Sequence, residues 1–99
     1  MSLRLIVAPQ AEDDLRDNFV WYEKRAPGLG FAFVQSVEAK LEGIANSPQI
    51  FRKRVGPYRL AATRRFPYVI YFIWDATSAV ITIRRILHFK QDRRPRLRG

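Results

Sequence analysis

Cysteine is absent from the 99-residue chain, and histidine occurs only once. Without cysteine the chain has no disulfide framework and no thiolate metal site, and one histidine is too few for a zinc site of the usual composition. We therefore expect no metal and no cofactor. The lack of cysteine also fits a reducing compartment, so the expected location is the cytoplasm.

Long apolar runs are also missing. The longest, residues 68–74, is far shorter than the roughly 20 residues that a membrane-spanning helix needs. The first residues lack the apolar segment of a signal peptide, so no membrane association is expected. There is no glycine-rich phosphate loop either, because Gly28 and Gly30 fall in a predicted break between helices.

Acidic residues are scarce in the second half of the chain. Residues 1–50 contain five Lys or Arg and seven Asp or Glu, whereas residues 51–99 contain thirteen and two. A solvated surface usually mixes both signs of charge. The asymmetry therefore predicts a functional basic face, which attracts nucleic acid, an anionic membrane or an acidic protein.

The apolar periodicity predicts a single α+β domain over residues 1–99, in the order β-α-α-β-β-β. A strand over residues 3–8 precedes helices over 9–25 and 29–46, and strands follow at 58–65, 68–74 and 79–89. We expect an antiparallel sheet with the N-terminal helical hairpin packed on one face. The acidic residues of the first helix are expected to be solvated. The predicted core comprises Leu15, Phe19, Val37, Leu41, Ile44, Ile70, Ile81 and Ile83.

Basic side chains recur along the predicted strands. Period-two alternation places Arg59 and Arg65 on one face, together with Arg84 and His88 of the last strand. This predicts a sheet with an apolar face under the helices and a basic face open to solvent. Arg85 interrupts the alternation, so a bulge or an edge position is expected there.

Arginine binds phosphate through paired donors, and histidine transfers protons near neutral pH. The alternative interpretation of His88 is a histidine at a strand end whose ring bonds a backbone carbonyl. The candidates for binding nucleic acid or another target are five basic residues on or beside the strands: Arg52, Arg54, Arg65, Arg84 and Lys90.

Several short segments resemble the RelE/ParE superfamily of bacterial toxins from type II toxin–antitoxin modules. They are residues 8–15, Tyr22, Ser47 and Pro48, and residues 56–59, 66–71 and 86–90. The resemblance covers nearly the whole chain. It implies a cytoplasmic toxin, of the kind that stabilises plasmids, which is neutralised by a cognate antitoxin whose acidic or amphipathic segment wraps the sheet and helices.

The superfamily divides by target. RelE-like members cleave mRNA on the ribosome with basic residues and often a histidine and a C-terminal tyrosine, whereas ParE-like members act on DNA gyrase. A RelE-like protein would be a metal-independent endoribonuclease, with His88, Arg59 and Lys53 as its catalytic residues here. However, Tyr68 stands where the RNases commonly have arginine, and Phe89 stands where some have the tyrosine.

The pattern of residues 66–68, Phe-Pro-Tyr, looks more like the ParE-type branch. The resemblance therefore favours a ParE-like toxin that acts on gyrase. A ribosome-dependent mRNA endonuclease is the alternative, and a non-toxic basic module that binds nucleic acid is a third possibility.

Overall fold

The structure, a computed structural model, describes residues 3–91. Its helices are α1 (Pro9–Arg25) and α2 (Leu29–Asn46), and its strands are β1 (Arg4–Val7), β2 (Lys53–Val55), β3 (Tyr58–Ala62), β4 (Tyr68–Asp75) and β5 (Val80–His88). Short 3₁₀ turns follow α2 (Pro48–Ile50) and β5 (Phe89–Gln91). Neither α1 nor α2 is long and apolar enough to span a membrane.

The five strands form one sheet in the order β1-β5-β4-β3-β2. The predicted α+β fold is confirmed. It differs from the expectation in one parallel pairing and in one further strand, β2. β1 runs parallel to β5, whereas the other neighbours are antiparallel. β2 was not predicted, because its three residues lack apolar alternation and two of them are exposed bases, as is common on an edge strand.

The helical hairpin depends on a carboxylate and two glycines. Glu23 accepts hydrogen bonds from the backbone N–H groups of Gly28 and Gly30, at 2.8 and 2.9 Å, where the α2 dipole favours negative charge. Gly28 has a φ of 88°, which costs glycine little. A Cβ on Gly30 would lie 2.6 Å from the Phe19 carbonyl oxygen, so only glycine permits this close helix crossing.

The main core lies between the helices and one face of the sheet. Of the predicted core residues, the five with no exposed surface are Val37, Ile44, Ile70, Ile81 and Ile83. Leu15 and Leu41 are half-buried and pack against this core. Phe19 is half-buried too, with its ring edge-on to Phe31.

The opposite face of the sheet is not the open basic face that the alternation predicted. It carries a second buried cluster of Val55, Val69, Tyr71 and Leu87, against which Tyr58 and Leu60 pack. Arg59 pairs with Phe72, a residue of the main core, and therefore lies on the helix side. The expected grouping of Arg59 with outward-facing bases is wrong.

A β-bulge in β5 explains why the residues that follow it lie on other faces than predicted. The register slips in the middle of the β4–β5 pair, where Arg84 is the extra residue, so the bulge predicted near Arg85 is confirmed. The bulge shifts the alternation of everything after it. Ile86 consequently joins the main core, and His88 pairs with Tyr68 on the helix side of the sheet instead of facing outward.

Asp14 of α1 holds the bulge. Its carboxylate accepts from Arg85 Nε at 2.8 Å, from Arg85 Nη2 at 3.0 Å and from the Ile86 backbone N–H at 2.9 Å. The hydrogen bond to Asp14 raises the pKa of Arg85, outweighing its partial burial. The expectation that the acidic residues of α1 are all solvated is wrong for Asp14, whose side chain is only 15% exposed.

Replacing Ile70 with alanine tests the main core. Ile70 has no exposed surface, whereas Ile50 is 69% exposed. We expect Ile70→Ala to lower the free energy of unfolding by about 2–5 kcal/mol, because it leaves a cavity, whereas Ile50→Ala should change it by less than about 1 kcal/mol. Urea denaturation followed by circular dichroism measures both, and equal losses would contradict the placement of the core.

Candidate functional site

An open cavity of about 540 Å³ lies between α1 and the end of β5. Its volume is within the range that small ligands or partner side chains occupy. The lining residues come from α1, the start of β4, the end of β5 and the following turn: Asp14, Asp17, Asn18, Trp21, Tyr22, Tyr68, His88, Lys90 and Gln91.

His88 is held at this cavity by the turn that follows β5. The backbone N–H of Lys90 donates to His88 Nδ1 at 2.9 Å, and the backbone N–H of His88 donates to Gln91 Oε1 at 3.2 Å. The ring therefore bonds a backbone N–H, not the carbonyl considered from the sequence. Because Nδ1 accepts, the neutral ring carries its proton on Nε2.

Tyr68 forms the floor beside His88. The two rings meet edge-on with centroids 5.2 Å apart, and the Tyr68 hydroxyl donates to Asn18 Oδ1 at 2.5 Å. Burial, reinforced by Tyr22, raises the pKa of Tyr68 well above the ordinary tyrosine value. The phenol therefore keeps its proton at neutral pH and serves as a donor that joins β4 to α1.

The α1 wall contributes charge and an exposed ring. Asp17 is exposed, in contrast to Asp14 with its three hydrogen bonds. Trp21 is 50% exposed, and the Arg25 guanidinium lies 4.1 Å from the centroid of its ring. The cavity thus combines a half-exposed aromatic surface with hydrogen-bonding groups.

The other two candidate catalytic residues lie elsewhere on the sheet. Arg59 is half-buried, donates from Nη1 to the Phe51 carbonyl at 2.6 Å and lies over Trp74. Lys53 is its exposed partner on β2. The structure brings Arg59 and Lys53 together on β3 and β2, whereas His88 lies on β5, on the other side of β4.

The strand register gives the scale of that separation. On β4, Arg59 pairs with Phe72, whereas His88 pairs with Tyr68, four residues along the strand. At about 3.3 Å per residue, this separates the two positions by roughly 13 Å along β4. They also lie on different strands, because β3 and β5 flank β4. The Arg59 guanidinium is bonded to the Phe51 carbonyl, so the two side chains do not converge on one point in this arrangement.

The five predicted target-binding residues are all exposed, but they are dispersed. Arg52 precedes β2 and Arg54 lies within it, and Arg65 lies in the β3–β4 connection with a φ of 74°. Arg84 is at the bulge, and Lys90 alone among the five lines the cavity. Their role in binding stays a prediction. Four further bases of the second half, Arg93, Arg94, Arg96 and Arg98, lie outside the described residues.

Sequence reasoning missed the α1 contribution to the cavity. Asp14, Asn18 and Tyr22 follow one another at four-residue spacing, as do Asp17 and Trp21, so they share neighbouring stripes of the helix. A tryptophan on the polar side of a helix was the available signal. Within residues 3–91, no three His, Asp or Glu side chains are grouped so that they would hold a metal ion.

Comparisons with known proteins agree on the type of domain. A family model described as the ParE toxin of the type II toxin–antitoxin system parDE matches residues 5–93. No curated protein shows significant similarity to the chain.

Two solved structures share the fold. One belongs to the chromosomal ParDE toxin–antitoxin system from P. aeruginosa, with 19% identity, coverage of 88% of this chain and 96% of that chain, and a TM-score of 0.77. The other belongs to the toxin–antitoxin complex RelBE2 from Mycobacterium tuberculosis, with 18% identity, coverage of 89% and 99%, and a TM-score of 0.58.

The tautomer of His88 can be measured directly. At a pH where the ring is neutral, we expect long-range ¹H–¹⁵N spectra to show the proton on Nε2 and a lone pair on Nδ1, because Nδ1 accepts from Lys90. The single histidine makes the assignment unambiguous. A ring protonated on Nδ1 would contradict the geometry of the turn.

Proposed function

Because the chain belongs to the ParE family of toxins from type II toxin–antitoxin systems, we propose that its target is DNA gyrase and that a cognate antitoxin neutralises it. The observation that carries the choice of target is the separation of His88 from Arg59 and Lys53. These are the three residues on which mRNA cleavage would depend, and the strand register pairs Arg59 with Lys53 but places His88 away from both.

RNA cleavage requires three tasks at one phosphate. A base activates the 2′-hydroxyl, cations stabilise the pentavalent phosphorus and an acid protonates the leaving oxygen. Neither aromatic neighbour of His88 suits proton exchange, because the pKa of Tyr68 is raised and Phe89 has no proton to exchange. Arg59 is committed to the Phe51 carbonyl. This arrangement supports a target other than mRNA.

The antitoxin proposal is supported by the assemblies that share the fold. Both solved structures come from toxin–antitoxin systems. The net charge of +11 over residues 51–99 would attract an acidic antitoxin segment and speed its association. We further propose that residues 1–99 form one toxin domain and that it acts in the cytoplasm, where gyrase meets DNA.

Two parallel assays test the target. Purified protein should inhibit DNA supercoiling by gyrase. In a ribosome-programmed cleavage assay, both the wild type and His88→Ala should leave mRNA intact. Addition of the antitoxin should restore supercoiling. Codon-specific cleavage by the wild type that disappears in His88→Ala would overturn the gyrase proposal in favour of the endonuclease. Inactivity in both assays, with tight binding to DNA or RNA, would favour the non-toxic module.

A further inference from the structure

We propose that the cavity between α1 and the end of β5 binds one carboxylate side chain of the antitoxin, with an adjacent apolar side chain covering Trp21. The inference rests on the proposed function only in taking the antitoxin as partner. The charge asymmetry of the chain favours an acidic partner but does not indicate where that partner binds, whereas the cavity gives the contact a place.

Three donors at the β5 end of the cavity have no acceptor among residues 3–91. The first is Nε2–H of His88, since Nδ1 accepts from the Lys90 backbone. The second is the Lys90 ammonium, which forms no ion pair within the described part of the chain. The third is the side-chain N–H₂ of Gln91, whose Oε1 accepts from the His88 backbone. Together they suit a carboxylate, which accepts several hydrogen bonds through two oxygens.

The carboxylates already in the cavity do not satisfy these donors. Asp14 is engaged by Arg85 and the Ile86 backbone N–H. Asp17 lies exposed on the α1 side of the cavity, and no ion pair joins it to Lys90 or His88. Its charge repels an anion near α1 and therefore favours placement of an incoming carboxylate at the His88 and Lys90 side.

The aromatic wall of the cavity favours an apolar side chain next to the bound carboxylate. Trp21 is half exposed although Arg25 lies over its ring, and Tyr22 and Tyr68 continue the wall into the cavity. Tryptophan is enriched among the few residues that supply most of the binding energy of a protein interface. An apolar side chain next to the carboxylate would remove this surface from water.

A nucleic-acid strand fits the cavity less well than a peptide does. Backbone binding needs several cations in succession, whereas the free donors of this cavity are one ammonium, an imidazole and an amide. A single carboxylate beside an apolar group matches the available donors and the ring. The occupant is therefore an acidic peptide segment.

The test measures the affinity of the purified cognate antitoxin for the toxin and its variants. Lys90→Ala should weaken binding by about 10- to 100-fold, as expected for loss of a charge-assisted hydrogen bond. Trp21→Ala should weaken it at least as much. The matched control is Lys24→Ala, since Lys24 is an exposed lysine of α1 outside the cavity; this change should alter affinity by less than about 3-fold.

A double-mutant cycle identifies the carboxylate. Each antitoxin Asp or Glu is changed singly to its amide, and its effect is compared in wild-type toxin and Lys90→Ala. At one antitoxin position, the change to the amide should weaken binding to wild-type toxin but have little effect on binding to Lys90→Ala, because that variant already lacks the lysine that the carboxylate contacts. In a Trp74→Phe background, Trp21 is the one remaining tryptophan, and its fluorescence should change on antitoxin binding.

The outcomes separate the inference from the proposed function. Tight antitoxin binding that is unaffected by Lys90→Ala, Gln91→Ala and Trp21→Ala would overturn the cavity contact while leaving the toxin assignment intact. Lys90 and Gln91 are exposed, so their variants carry the test even if Trp21→Ala does not fold. Failure of wild-type toxin to bind the antitoxin would overturn both. Quenching of Trp21 by single-stranded RNA but not by antitoxin would assign the cavity to nucleic acid.

Discussion

The rest of the site depends on the hydrogen bonds that the carboxylate of Asp14 accepts. The carboxylate accepts three hydrogen bonds at the β5 bulge, two from Arg85 and one from the Ile86 backbone. A bulge leaves backbone groups without their usual ladder partners, and a buried N–H without an acceptor is costly. By supplying that acceptor from α1, Asp14 stabilises the bulge and attaches the helix to the sheet in one arrangement.

The consequences reach the end of β5. Because the bulge shifts the alternation, Ile86 enters the core and His88 lies on the helix side beside Tyr68. The Tyr68 hydroxyl then bonds Asn18, one helical turn beyond Asp14, which gives α1 a second link to the sheet. The space between these two links and the turn at residues 89–91 is the cavity. His88 and Arg59 stay apart because their partners on β4 lie four residues from each other, and this separation is the argument against mRNA as the target.

Local sequence signals predicted the elements well but not their faces. Pro9, Gly28 and Pro48 mark the helix boundaries, and the β-branched and aromatic run of β4 marks a central strand, because each acts through its own backbone preferences. The side on which His88 lies could not be predicted in the same way. The broken alternation at Arg85 indicated a bulge or an edge position, but the bulge is stabilised by Asp14, 71 positions from Arg85, and no local periodicity reports such a contact. The pattern placed Arg59 on the wrong face because its guanidinium bonds the Phe51 carbonyl and lies over Trp74, which lets a charged residue occupy the helix side of β3.

The most direct test of this account compares Asp14→Asn with Asp13→Asn. Asp13 precedes Asp14 on the same helix and forms an exposed ion pair with Arg16, three residues further on. Asp14→Asn should lower the free energy of unfolding by about 1–3 kcal/mol and shift the NMR signals of the His88 ring. Asp13→Asn should cost less than about 1 kcal/mol and leave those signals in place. Equal losses of stability, with an unchanged His88 ring in both variants, would contradict the claim that Asp14 positions the site.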